Sequence, residues 1–225
     1  MERIEFLISE FKKCNIELSE DKADKLLKLY EFLVEYNQNV NLTAITDFEE
    51  VVVKHFIDSV LPFSMIDIKE NSSFIDVGTG AGFPSIPLMI VRPYLKGTLL
   101  EALNKRCVFL EKACELTGVD AKVIHGRAED YAKEKREAFD FATARAVAAM
   151  PVLCEYCIPY VKTGGRFIAL KSVNEDETQC EKAVNVLGGK IAENGDSRRL
   201  FIIDKVSQTP TKYPRNPSMI KKKPL

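Results

Sequence analysis

Apolar positions recur at helical spacing through about the first sixty residues. Ile4, Phe6, Leu7 and Phe11 share one face, and Leu27, Tyr30, Leu33 and Val34 share another behind Ser19, a residue type suited to an N-cap. A polar loop follows at 37–45. Asp47, with Glu50 three residues on, resembles a capping box and opens a third helix through Val51, Val52, His55, Ile57, Val60 and Leu61. From Ser73 the period changes to short apolar runs alternating with helical segments, the pattern of a parallel sheet with crossover helices. Strands are predicted at 74–77, 98–101, 122–125, 139–143 and 166–171. Helices are predicted to begin near Pro84, Asn104, Ala128 and Met150, and another to cover 175–187. Residues 190–192 and 199–206, around Asn194-Gly195-Asp196, read as a hairpin on the sheet edge. The expected fold class is α/β: a doubly wound, mostly parallel seven-stranded sheet under an N-terminal helical cap. The cap is assigned to 1–70, the sheet domain to 71–207, and a basic tail of the same compact unit to 208–225.

Composition narrows the class of partner. A chain of 225 residues that is 46% hydrophobic can bury one good core. Its 32 Lys and Arg against 33 Asp and Glu create no overall field toward nucleic acid, so any basic surface must be local. No apolar stretch approaches bilayer length and the first residues lack an apolar leader, so a cytoplasmic monomer with no membrane partner is expected. Six cysteines lie mostly within helical patterns and read as reduced thiols. Cys154-Glu155-Tyr156-Cys157 has the spacing of a redox or metal pair but no companion pair or suitably placed His, and no metal is expected.

The segment Phe74-Ile75-Asp76-Val77-Gly78-Thr79-Gly80-Ala81-Gly82-Phe83-Pro84 carries the strongest chemical signal. A strand runs into an acidic residue, three alternating glycines, and a proline expected to set φ for a first helical turn. The start of that helix is expected to offer N–H groups to an anion. Gly82 follows Gly80 by two residues, whereas a dinucleotide turn places its third glycine three residues after the second. The loop resembles the first motif of S-adenosylmethionine-dependent methyltransferases, with a dinucleotide site or a plain structural turn as the alternatives. Glu101 ends the second strand about twenty residues later, where an acidic side chain accepts hydrogen bonds from ribose hydroxyls, or is simply an exposed carboxylate. Ala128 and Glu129, after the third strand, stand where adenine is read through backbone groups, or where a helix start favours acid.

After the fourth strand comes Thr143-Ala144-Arg145-Ala146-Val147 rather than the Asn-Pro-Pro-Tyr turn used on exocyclic amines, and no Pro-Cys nucleophile occurs anywhere. Alkylation of a ring nitrogen that already presents a lone pair, such as guanine N7, remains, and it needs no general base. Arg145 is a candidate for the base edge or a phosphate, or for a structural ion pair. Asn39-Val40-Asn41-Leu42-Thr43-Ala44-Ile45, His55-x-x-Asp58-Ser59, the glycine loop, Lys105-Arg106, Arg127-Ala128-Glu129, Arg145-Ala146, Leu170-Lys171 and Tyr213-Pro214-Arg215 occur in this order. Together they resemble the bacterial 16S ribosomal RNA guanine-N7 methyltransferases, the glucose-inhibited division protein B family.

The resemblance implies a Rossmann-like methyltransferase fold and transfer of the methyl of S-adenosylmethionine to N7 of one guanine in the decoding-region hairpin of 16S ribosomal RNA. Its partner would be that RNA or the small ribosomal subunit. Cofactor contacts then fall on Gly78, Gly80, Phe83, Glu101, Ala128, Glu129 and Arg145. Substrate contacts fall on His55, Asp58, Lys105, Arg106, Arg145, Lys171 and Arg215. His55 and Asp58, three apart, share a helical face and either border the substrate or form a surface pair. Lys105 and Arg106 at a helix start oppose its dipole by about 0.3–1 kcal/mol each, a small cost that points to phosphate contact. Lys205, Lys212, Arg215, Lys221, Lys222 and Lys223 follow Asp204, the last acidic residue, giving a basic end that either meets RNA or is a solvated terminus.

Overall fold

The computed structural model describes residues 2–145, 148–170, 180–192 and 200–225. Its strands are β1 (Ser73–Val77), β2 (Lys96–Glu101), β3 (Ala121–His125), β4 (Phe139–Arg145), β5 (Val161–Leu170), β6 (Gly189–Ile191) and β7 (Leu200–Lys205). They form a seven-stranded sheet in the order β3-β2-β1-β4-β5-β7-β6. The β2–β3, β1–β4 and β4–β5 pairs are parallel, and β7 runs antiparallel to both β5 and β6. The helices are α1 (Arg3–Lys13), α2 (Glu20–Asn37), α3 (Phe48–Val51), α4 (Asp58–Ser64), α5 (Ser85–Val91), α6 (Asn104–Thr117), α7 (Ala128–Glu134), α8 (Met150–Cys157), α9 (Glu181–Val186) and α10 (Pro217–Lys222). The expected α/β class is the observed one. Among the described residues no helix is long and apolar enough to cross a membrane.

The chain divides into two compact units, one of residues 1–71 and 79–125, the other of 72–78 and 126–225. In the first, Ser19 caps α2 by accepting the Lys22 N–H at 3.4 Å. Leu26, Leu29, Tyr30 and Leu33 then fall on one buried face of α2. That face joins Leu7 and Phe11 of α1, Ile86 and Ile90 of α5, Leu99 of β2 and Phe109 of α6 in one core. Phe32 stacks flat on Phe109 with centroids 5.2 Å apart. Gly118 closes α6 in the left-handed region at φ 66°, a conformation that costs a residue with a Cβ.

One departure lies in the third predicted helix. Asp47 does cap it, accepting the Glu50 N–H at 3.0 Å, but after α3 the chain widens into a π-helical stretch, Val52–Ile57, before α4. Alternating apolar residues cannot distinguish this widening from an α-helix, because burial of Val52, Phe56 and Ile57 satisfies both.

In the second unit β4 is the axis, paired to β1 from Phe74–Phe141 to Asp76–Thr143 and to β5 as far as Arg145–Leu170. Phe74 and Phe141 stack at 4.9 Å, and Ser73 ties β1 to β4 by donating its N–H and hydroxyl to Asp140, both at 2.7 Å. Burial disfavours the Asp140 carboxylate, but hydrogen bonds from Lys162 and Ser73 outweigh it and hold the group down to about 2. The C-terminal segment is fastened rather than loose. Arg136 donates to the carbonyls of Thr209, Pro210 and Tyr213, and Ile220 of α10 is fully buried. Lys205, expected among the basic surface residues, is instead buried, donating to Glu137 at 2.7 Å and Thr209 at 2.9 Å.

Candidate active site

The glycine loop takes positive φ at all three glycines, 72° at Gly78, 60° at Gly80 and 81° at Gly82. In the first unit Thr79 organises the turn: its carbonyl accepts from Gly82 at 3.0 Å and Phe83 at 3.3 Å, while its N–H reaches the Leu100 carbonyl. A Cβ on Gly82 would come within 2.5 Å of Ile86 Cδ1, so the loop packs on its own helix without a side chain. This turn delays the helix. Pro84 follows a cis bond and occupies the N-cap, so α5 begins at Ser85 rather than at the proline, and Ile86 N–H already donates to the Gly82 carbonyl at 2.8 Å. The expected anion-binding helix start is therefore partly consumed by the loop itself.

Glu101, at the end of β2, is only 4% exposed. One carboxylate oxygen accepts the Gly80 N–H at 3.0 Å and the other the Leu103 N–H at 2.9 Å, with Arg106 Nη1 3.9 Å away. The exposed-carboxylate alternative is thereby excluded. Two carboxylate oxygens have room for about four hydrogen bonds, so both can accept a further hydroxyl while still holding the loop. That capacity fits a ribose with two adjacent hydroxyls. Arg106 also donates to the Asn41 carbonyl at 3.4 Å, and Lys105 beside it is exposed on the first turn of α6.

Phe83 is buried, and its ring stacks on His55 with centroids 4.7 Å apart and planes 25° apart. The His55 Nε2 lies 2.9 Å from the Thr43 hydroxyl, so the Asn-Leu-Thr stretch and the His-x-x-Asp-Ser stretch meet behind the glycine loop. Asp58, expected on the same helical face as His55, begins α4 just beyond the π-helical turn.

In the second unit Asp76 is buried at the end of β1, next to Gly78. Ala128 and Glu129 are the first residues of α7, and their N–H groups belong to the turn that has no intrahelical acceptors. The Ala128 carbonyl is taken by the Tyr160 hydroxyl at 2.6 Å. Backbone reading of a purine there must use N–H donors, which suits a ring nitrogen acceptor. Arg145 ends β4, half-buried. Arg215 is held by Glu155, which accepts from its backbone N–H, Nε and Nη2 at 2.6–3.2 Å. The expected substrate role of Arg215 meets a side chain already committed to a buried ion pair. Lys171 lies outside the described residues.

Sequence reasoning did not single out Tyr160 or Asn37, whose side-chain hydrogen bonds to Ala128 and to Leu42 and Thr43 appear only in the fold. Asn37 and Thr43 lie in a predicted polar loop where only tertiary contacts reveal their use.

The sheet, with its antiparallel last strand β7 reaching between β5 and β6, and the glycine turn after β1 define the class: a Rossmann-like methyltransferase fold of the kind that takes S-adenosylmethionine. Two solved structures share it, at identities that speak to the fold alone. An O-methyltransferase family protein from Burkholderia thailandensis aligns at TM-score 0.55 and 13% identity over 80% of this chain and 59% of that one. A SAM-dependent methyltransferase from Aquifex aeolicus aligns at TM-score 0.50 and 14% identity over 65% of this chain and 89% of that one.

Sequence similarity is far narrower. Residues 22–197 match the family model described as GidB, rRNA small subunit methyltransferase G. Ribosomal RNA small subunit methyltransferase G of Staphylococcus aureus (strain JH9) is 46% identical over 99% of this chain and 98% of its own length. The protein of the same name from Alkaliphilus metalliredigens (strain QYMF) is 45% identical over 92% of each chain. The chain belongs to the GidB family of small-subunit ribosomal RNA methyltransferases.

Proposed function

We propose that this protein transfers the methyl group of S-adenosylmethionine to N7 of a single guanine in the decoding-region hairpin of 16S ribosomal RNA, acting in the cytoplasm as a monomer. The observation that carries the reading is 46% identity over nearly the full length to a relative named ribosomal RNA small subunit methyltransferase G, joined to a glycine loop whose acidic partner Glu101 has acceptor capacity to spare. The cofactor supplies an electrophilic methyl on a sulfonium. Glu101 accepts from the ribose hydroxyls. The N–H groups of Ala128 and Glu129 meet the adenine edge, and the backbone of Gly78, Gly80 and Phe83 borders the methionyl part.

Guanine N7 presents its lone pair in the ring plane, so the protein has no proton to remove and its work is alignment. Arg145 orients the base by holding its O6 or the neighbouring phosphate, which leaves the N7 lone pair open to the methyl. Asp58, Lys105, Arg106 and Lys171 are assigned to the substrate side, with Lys105 the most exposed cation of that group among the described residues, while His55 is buried against Phe83 behind the glycine loop. Lys212, Lys221, Lys222 and Lys223 are exposed on the docked C-terminal segment and supply phosphate contacts whose strength falls with salt. Arg215 is reassigned to fastening that segment.

The test is mass spectrometry of 16S ribosomal RNA from cells lacking the gene. Loss of one 7-methylguanosine, restored by the wild-type gene, is expected. An unchanged modification pattern would refute the assignment.

A further inference from the structure

We propose that Asn37, Thr43 and His55 form a positioning relay that sets the Phe83 ring, and through it the backbone of the glycine loop, for cofactor binding; the inference rests on the S-adenosylmethionine reading above. The chain of contacts begins at the end of α2. The Asn37 side-chain oxygen accepts the N–H groups of Leu42 at 2.8 Å and Thr43 at 3.0 Å, while its amide donates to the Thr43 carbonyl at 3.0 Å. Both backbone groups of Thr43 are thus fixed by one side chain. The Thr43 hydroxyl accepts from the Ile45 N–H at 3.1 Å and shares a hydrogen bond with His55 Nε2 at 2.9 Å.

On the other side of the ring His55 Nδ1–H donates to the Lys54 carbonyl at 3.1 Å. A carbonyl only accepts, so Nδ1 is the protonated side of this contact. An imidazole held at both nitrogens cannot rotate, and it presents its face to Phe83 at 4.7 Å. Phe83 in turn donates its N–H to Thr79, the residue about which the glycine loop closes. The π-helical turn Val52–Ile57 displaces His55 from the regular helical path, and such turns concentrate where a side chain must be aimed. Neither Asn37 nor Thr43 is placed to act on a methyl group itself in this scheme; each works through the ring that follows.

A double-mutant cycle tests the relay. Thr43→Val removes the hydroxyl at nearly constant shape, His55→Phe keeps a ring against Phe83 but removes the bonded nitrogens, and Thr43→Ser restores the hydroxyl. S-adenosylmethionine affinity is measured by calorimetry on each variant, with thermal melts reporting the folded fraction. Each single variant is expected to weaken affinity by about threefold to tenfold, the worth of one hydrogen bond, and the double variant by no more than either alone. Thr43→Ser should return to within about twofold of wild type.

A purely structural contact would instead lower the melting temperature and leave the affinity of folded protein unchanged, which would overturn the relay. Additive losses in the double variant would also overturn it, by showing that the two side chains act separately. If Thr43→Val does not fold, Asn37→Asp, which keeps the acceptor and loses the amide donor, carries the same expectation of weakened affinity, and wild-type affinity there would refute it. Absence of S-adenosylmethionine binding by the wild-type protein would be a different result, and would refute the cofactor reading itself.

Discussion

Two buried glutamates show how one residue type is put to opposite uses. Glu101 in the first unit and Glu155 in the second are 4% and 0% exposed. Glu155 is saturated by a cation, with Arg215 contributing its Nε, Nη2 and backbone N–H. Among the described residues Glu101 holds two backbone N–H groups at close range, with Arg106 at 3.9 Å. A carboxylate filled by a guanidinium is a fastener. One held mainly by backbone N–H groups retains lone pairs for a ligand. Burial therefore does not separate a site from a clamp; the partners do.

The largest expected effect breaks the clamp. Arg215→Ala strands the Glu155 carboxylate in the interior and should cost about 3–5 kcal/mol in urea unfolding. If stability were retained and only ribosomal RNA binding fell, Arg215 would return to the substrate side. On the other half of the comparison, Glu101→Gln should weaken S-adenosylmethionine about 10- to 100-fold in calorimetry while changing stability by about 1 kcal/mol. Equal loss of both would make Glu101 another clamp.

Gly82→Ala sharpens the loop side alone. A Cβ at φ 81° costs about 1–2 kcal/mol of backbone strain, with a further adjustment of Ile86, and should reduce both melting temperature and cofactor affinity.

The smallest effect comes from a third carboxylate whose side chain is 43% exposed. Asp140 is lowered to about 2 from an ordinary 3.8, so its stabilisation is present above the unfolded value and lost as pH falls through the folded one. Solvent screening limits that stabilisation to about 1 kcal/mol. Asp140→Asn should therefore be less stable than wild type at pH 7, with the gap closing as pH falls from about 4 to about 2. A gap independent of pH would show that shape, not charge, joins β1 to β4.

Much of the frame was legible in the chain. Helix starts at Asn104, Ala128 and Met150 coincide with the predicted ones, since each follows a clean break in apolar periodicity. The predicted helix over 175–187 is observed from Glu181, its earlier part lying outside the described residues, as does the Asn194-Gly195-Asp196 turn. β5 begins at Val161, five residues before its prediction, because Lys162 to Arg166 are polar or glycine and not fully buried, with no apolar alternation to reveal a strand.

The candidate site was legible as positions rather than as contacts. Gly80 and Glu101 were both read as cofactor residues, but their mutual hydrogen bond depends on the loop's folded path. The basic end was visible as charge, yet burial of Lys205 and pairing of Arg215 depend on Glu137 and Glu155, 68 and 60 residues away. The π-helical turn left no sequence mark because its buried residues satisfy both helical periods.

The central claim is methyl transfer to one ring nitrogen of ribosomal RNA. Its most direct test incubates purified protein and methyl-labelled S-adenosylmethionine with small subunits from cells lacking the gene, then digests the RNA to nucleosides. Label confined to 7-methylguanosine from a single position in the decoding-region hairpin is the expected result. Label in another nucleoside, or none in subunits, naked RNA or precursor particles alike, would contradict it.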